Sequence, residues 1–252
     1  MPRRGKGVER QKLDVSSLSP MEKMFAEHSS ILDEFHDTKE RIYKFARDVT
    51  IVSKRIIFTL HRFGEGVEEQ ILKESADELH TVKTTHLQNI VKELSKSHLS
   101  YWRYIQSYSF GLQEFIEALS FMHYLKTKQL ITKEEIEQQL IFDVLPEEEE
   151  KVDIKELPES KRIKLDVDHM DTSDDMGSNE KQYPTADGGI IIDGSRIHFK
   201  LSYNDYLLGI ADLGGELMRY ATNNVTKPSM RQVPFEIRDF LQLIGHWVFV
   251  TC

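Results

Sequence analysis

Between Met21 and Leu145 the chain has no proline, and its apolar residues recur three and four apart, the period of a helix rather than a strand. In "SPME", Ser19 is placed as an N-cap, Pro20 as the first helical residue and Glu22 as the closing acid of a capping box; "TKEE" repeats the device with Thr132 and Glu135. The pattern predicts a long helix from about Ser30 to Arg62, a break at "FGEGVE", and a second helix to about Lys96. A third runs from about Leu99 to Lys126, and after a turn at "KTKQLI" a shorter helix reaches Phe142. On the long helix Ile42, Phe45, Val49, Val52, Ile56 and Leu60 fall within one arc, which marks its core face.

The pattern changes at Pro146. From there to Asp187 the chain is acidic, punctuated by proline and poor in large apolar residues, so burial cannot offset the entropy of ordering it. "GGIIIDGSRIHFKLSYN" reads as an extended lead-in to a helix over "DYLLGIADLGGELMRYATNN", and a last helix starts near Pro234. The expected fold is all-α. Residues 1–18 form a basic, disordered tail, 19–145 the first helical part, 146–189 a disordered acidic loop, and 190–252 the second helical part.

One predicted helix is unusual. In "GLQEFIEALSF", Leu112, Phe115, Ile116 and Leu119 form an apolar stripe, yet Glu114 and Glu117 on the other side are bordered by Phe110, Phe121 and Tyr124. A helix buried on both sides places two carboxylates in an apolar setting, where they repel each other unless something positive joins them, a basic side chain or a metal ion. "DLGGEL" adds a second pair, Asp212 and Glu216, sharing a helical face with Gly209 and Arg219. Paired acids on two helices are one way a bundle holds a divalent cation, and oxygen-only ligands select Mg²⁺, Mn²⁺ or Ca²⁺. The bland alternative is solvated or salt-bridged pairs, with Arg219 neutralising Asp212 or Glu216. A carboxylate iron site would want Glu-x-x-His, but His123 lies at the wrong spacing. Gly209, Gly214 and Gly215 point to close approach by another helix or a ligand, and Asp205 reads as an N-cap.

The exposed side of the long helix carries Arg41, Lys44, Arg47, Arg55 and Arg62, with Lys54 beside them. Such a stripe can track phosphates, or it can be a solvated face balanced by Asp37, Glu40 and Asp48. Trp102, Tyr104, Tyr108 and Phe110 are either base-stacking residues or core.

Composition narrows the classes. No apolar run approaches a membrane span, and the basic start "MPRRGKG" has no apolar region after it, so a chain neither secreted nor membrane-embedded is expected. A single cysteine, Cys252, leaves no internal disulfide and no cysteine-based zinc site. The net charge of −9 opposes general nucleic-acid binding, although much of the acidic excess sits in the insertion. "MPRRGKG" and the basic cluster Ser160–Asp166 have the composition of nuclear import signals.

"RDVTIVSKRIIFTLHR", "GLQEFIEALSFMHYLKTKQLI" and "DYLLGIADLGGELMR", in this order, resemble the translin family, on the side of its X-type subunits rather than translin itself. The resemblance runs from about Phe35 to Phe240 outside the acidic insertion. It implies a translin-like helical bundle assembling with translin into a hollow hetero-octamer, a Mg²⁺-dependent endoribonuclease with Mn²⁺ as a possible substitute. The implied substrates are single-stranded or nicked RNA, in passenger-strand removal during RNA silencing and in tRNA processing; single-stranded DNA is a further possible ligand. Nuclear and cytoplasmic location goes with that reading.

The family's catalytic acids fall on Glu114, Glu117 and Asp212, with Glu216 completing the metal ligands, and Arg47, Lys54, Arg55 and Arg62 would draw nucleic acid in. The family continues after "PFEIRDFLQ" through a loop into a further helix; here the chain reads "LIGHWVFVTC", a departure that would leave an apolar groove uncovered. Two other readings compete: a non-catalytic partner that modulates translin's nucleic-acid binding and nuclear transport, and an all-α nucleotide pyrophosphohydrolase, which would also gather carboxylates around Mg²⁺.

Overall fold

The computed structural model describes residues 19–64, 66–96, 101–143, 188–193 and 195–251, with side chains except at 101 and 246–251. The expectations for the basic tail, for residues 146–187 of the acidic insertion and for the cluster Ser160–Asp166 lie outside the described residues; Gly189, placed in the disordered loop by the sequence, begins a strand.

The capping box at Ser19 forms as the sequence indicates and starts α1 (Pro20–Leu60), so the expected start near Ser30 moves back into one uninterrupted 41-residue helix. Ile42, Ala46, Val49, Ile56 and Leu60 line its buried face. The chain then turns through Gly64 and Gly66, both at positive φ, where a side chain would be strained. α2 (Glu68–Thr81) and α3 (Gln88–Lys96) follow, joined without interruption by a π-helical stretch, Val82–Leu87. A 3₁₀ turn, Tyr101–Tyr104, leads into α4 (Ile105–Thr127), and Lys128 in the left-handed conformation closes it.

The next helix is shorter than expected. α5 (Lys133–Gln139) ends before Phe142, and Ile141–Asp143 becomes strand β1. The predicted lead-in is likewise a hairpin, β2 (Gly189–Asp193) and β3 (Arg196–Lys200), with β3 central in an antiparallel sheet of order β1-β3-β2. This small sheet turns Ile197 and Phe199 inward, and Phe199 meets Tyr108 edge-on. The buried Glu137 pins it to α5, accepting from Lys133 Nζ at 2.7 Å, Lys200 Nζ at 2.9 Å and the Leu201 N–H at 3.0 Å. Burial alone would raise the Glu137 pKa, but these three donors hold it below the ordinary value.

α6 (Tyr203–Asn224) and α7 (Val233–Thr251) complete the bundle. Asp205 is not the N-cap of α6. Ser202 takes that position, and Asp205, in the first turn, is buried while accepting from Ser202, Ser109 and Gln113. "LIGHWV" continues α7 helically, where the family resemblance implied a loop.

The whole is a helical bundle in which α4 lies between α1 and α6. Two glycines permit that. A Cβ on Gly111 would stand 2.6 Å from the Ala46 carbonyl oxygen of α1, and one on Gly209 of α6 would stand 2.7 Å from Ile116 Cγ2 of α4. Gly214 and Gly215 are different: a Cβ on Gly214 would make only ordinary contact with Leu241, and one on Gly215 would meet nothing. Among the described residues no helix is long and apolar enough to cross a membrane.

Candidate active site

α4 is buried on two sides because α1 and α6 flank it, so its carboxylates emerge in the crevice those helices leave. Glu114 and Glu117 of α4, Asp212, Gly215, Glu216 and Arg219 of α6, and Lys54 and Phe58 of α1 line an open cleft of about 620 Å³. The acidic pairs from two distant segments therefore share one space. Gly215 leaves that wall open, which accounts for the glycine that no helix contact requires.

Each acid has a different environment. Glu114 receives the Lys54 ammonium at 2.8 Å, and this carboxylate raises the lysine's pKa. Glu117 is only 8% exposed. Burial first, and then the charges of Glu114, Asp212 and Glu216, push its carboxyl up to about 8, with Lys54 opposing. Asp212 is exposed to the cleft. Glu216 Oε2 contacts His61 Nε2 closely, and Arg219 stands 3.8 Å from the same oxygen. The positive partners anticipated for buried carboxylates are thus Lys54 and Arg219, and His61 is a further hydrogen-bonding partner of Glu216.

No three Asp, Glu, His or Cys side chains converge in a metal-binding arrangement among the described residues. Glu114 is turned toward Lys54 and Glu216 toward His61. The donor chemistry nevertheless fits a hard divalent cation: four carboxylates face one cleft, and burial together with the charges of its three neighbours keeps Glu117 protonated, a state that a bound cation would make unnecessary.

The basic residues divide. Lys54 belongs to the cleft itself. Arg47 and Arg55 are exposed on α1 and Arg62 in the turn that follows it, two residues past the helix end, and no carboxylate pairs with any of them among the described residues. Other basic residues of α1 are balanced, Lys44 by Glu40 on the same helix at 3.7 Å and Arg41 by Glu93 of α3 at 2.9 Å. Of the four aromatic candidates, Tyr104 and Tyr108 are core and Phe110 packs against Tyr43, which leaves Trp102 exposed. Sequence reasoning assigned no role to two cleft residues. Phe58 is 67% exposed at the cleft wall, and His61 is buried behind it. Spacing could not show either, since both sit one helix away from the acids they adjoin.

A helical bundle that seats an acid-lined cleft between its first, fourth and sixth helices belongs to a definite class: residues 37–246 match the Translin family, and the chain is a member of it. Within that family it is similar to Translin-associated protein X. It is 36% identical to the Rattus norvegicus protein over 238 residues, covering 93% of this chain and 69% of that one, and 35% identical to the Mus musculus protein with the same coverage. Identity to the Translin-associated protein X homolog of Schizosaccharomyces pombe is 22%, over 86% of this chain and 69% of that protein. A crystal structure of apo-NeC3PO shares the fold with a TM-score of 0.52 at 18% identity, over 94% of this chain and 85% of that one.

Proposed function

We propose that this chain is the catalytic subunit of a metal-dependent endoribonuclease formed with translin, acting on single-stranded or nicked RNA. The observation that carries the proposal is the concentration of Glu114, Glu117, Asp212 and Glu216 on one open cleft, with Glu117 holding its proton up to about pH 8. The partner assignment is supported by similarity to Translin-associated protein X.

Glu114, Glu117, Asp212 and Glu216 would hold Mg²⁺, for which Mn²⁺ could substitute. Such a cation acidifies water and offsets the charge that gathers on phosphate oxygens during phosphodiester hydrolysis. The chain's own residues supply the rest. Lys54, at the cleft edge and 63% exposed, is the cation placed to meet a phosphate oxygen when it leaves Glu114. Arg47 and Arg55 on α1, with Arg62 in the turn after it, extend positive charge from the cleft and guide the backbone of the strand. Attack of water oxygen on phosphorus, with cleavage of the bond to the 3′-oxygen, leaves a 5′-phosphate and a 3′-hydroxyl. RNA substrates in passenger-strand removal and tRNA processing, and nuclear as well as cytoplasmic location, belong to the same proposal.

A second reading draws on a specific observation: Lys54 and His61 satisfy Glu114 and Glu216 without any ion, as in a non-catalytic translin partner. Cleavage of a labelled single-stranded RNA by the chain co-expressed with translin separates the two. Mg²⁺-dependent cleavage, lost by at least a hundredfold in a Glu114→Ala/Glu117→Ala variant that still assembles, is the expected result. An intact complex that cleaves nothing, or a variant that cleaves equally well, would establish the non-catalytic partner instead.

A further inference from the structure

His61 caps the C-terminus of α1, where the chain leaves the helix. Its ring is wedged between the other two helices of the cleft, 5.1 Å from Phe121 of α4 and 6.3 Å from Tyr220 of α6, centroid to centroid. The same turn is tied to α6 a second time, since the Tyr220 hydroxyl donates to the Phe63 carbonyl at 3.0 Å. The imidazole therefore has little freedom to rotate or withdraw.

Its polar atoms show what this rigidity serves. The side chain is 9% exposed, Nδ1 is buried with no partner among the described residues, and Nε2 makes a single contact, with Glu216 Oε2. A buried ring that leaves one nitrogen unsatisfied commits its hydrogen-bonding capacity to that one carboxylate. Glu216 itself is part of the cleft lining, and its other oxygen has no partner among the described residues. One oxygen is held from behind, and the other has no protein partner among the described residues at this cleft wall.

We infer that His61 is a positioning residue, which fixes the Glu216 carboxylate so that its free oxygen faces the cleft as a ligand for a divalent cation. The inference rests on the cation-binding part of the proposed function. It adds a contribution from a third helix: α1 closes the site from behind through His61, as α4 and α6 supply the acids. Carboxylates that bind metals are themselves held by hydrogen bonds, and removing such a partner typically weakens metal binding by about 10- to 100-fold.

Mn²⁺ titration of the full chain, followed by the electron paramagnetic resonance signal of the free ion, tests this without reference to catalysis. A Glu114→Gln/Glu117→Gln variant sets the background from the chain's other acids. Wild type is expected to bind above that background, and His61→Ala to weaken the site about tenfold. His61→Gln, whose amide nitrogen reaches the place of Nε2, should stay within about threefold of wild type, by retaining the donor. On a Glu216→Ala background His61→Ala should change affinity no further. Unchanged affinity in His61→Ala would overturn the inference while leaving the metal site standing. So would equal losses in His61→Ala and His61→Gln, which mark a packing role. If His61→Ala does not fold, the comparison of His61→Gln with Glu216→Ala decides: retained affinity in the first and lost affinity in the second support the inference, and equal loss overturns it. Wild type no better than the background variant would remove the metal site, and the role of His61 with it.

Discussion

Glu117 shows how a single side chain carries the tension of the cleft. Its ordinary value is 4.5, and burial with three neighbouring acids pushes it up to about 8. Below about pH 4.5 it is neutral in both the folded and the unfolded chain and costs nothing. Between there and about 8 the unfolded chain ionises it while the folded chain keeps the proton, so stability falls as pH rises; above about 8 the penalty is constant. Each pKa unit corresponds to about 1.4 kcal/mol, and Lys54 together with relaxation of an open cleft reduces the total. Glu117→Gln, measured by urea unfolding without divalent cations, should therefore gain ~1–3 kcal/mol at pH 8.5 and almost nothing at pH 4.5. An equal difference at both values would show that the carboxyl is not under this pressure. The acidic pairs were legible in the sequence because i,i+3 and i,i+4 spacing alone puts each pair on one helical face. The histidine behind Glu216 was not. A search for Glu-x-x-His finds partners on the same helix, whereas His61 reaches Glu216 from another, an adjacency that only tertiary packing creates. Asp205 misled for a related reason, since a serine three residues earlier competes for the cap.

At the scale of elements, α4 depends on how near its neighbours come. Gly209→Ala would drive a Cβ to within 2.7 Å of Ile116 Cγ2 and 3.1 Å of the Gln113 carbonyl oxygen, so a helix must shift. Overpacking of that kind costs about 1–3 kcal/mol, against a gain of about 1 kcal/mol in helix propensity. Gly215→Ala meets nothing and keeps the gain. Chemical denaturation should show Gly209→Ala destabilised and Gly215→Ala stabilised by up to about 1 kcal/mol; the reverse order would contradict the packing of α4 on α6. The helices were readable because their periodicity is long and their caps are local. The sheet was not, since β1 is three residues long and finds its partner β3 only across the insertion. Strand pairing at such separation leaves no local pattern, and the same residues read equally well as the end of a helix or as an extended lead-in.

For the whole molecule, the question is how a chain of net charge −9 would bind a polyanion. Pro146–Asp187 contains fourteen acidic and six basic residues, so the rest of the chain is close to neutral, and segregation decides the outcome. Four acids of the helical part line the cleft, while Arg47 and Arg55 on the exposed face of α1, and Arg62 in the turn after it, have no carboxylate partner among the described residues. Charge so divided would, under the proposed function, attract phosphate along α1 and reserve the acidic pocket for cations. Under the proposed function, each arginine that meets a phosphate adds about 0.7 to the dependence of log affinity on log salt for a single strand. Fluorescence anisotropy of a labelled single-stranded RNA across a KCl series should give Arg47→Ala/Arg55→Ala a slope shallower by about 1.4, with weaker binding at low salt. Lys44→Ala is the control: its ammonium already lies 3.7 Å from Glu40, and it should leave the slope nearly unchanged. If the double arginine variant kept the wild-type slope, or Lys44→Ala altered it as much, α1 would be an ordinary solvated face, and RNA would have to approach the cleft from another side.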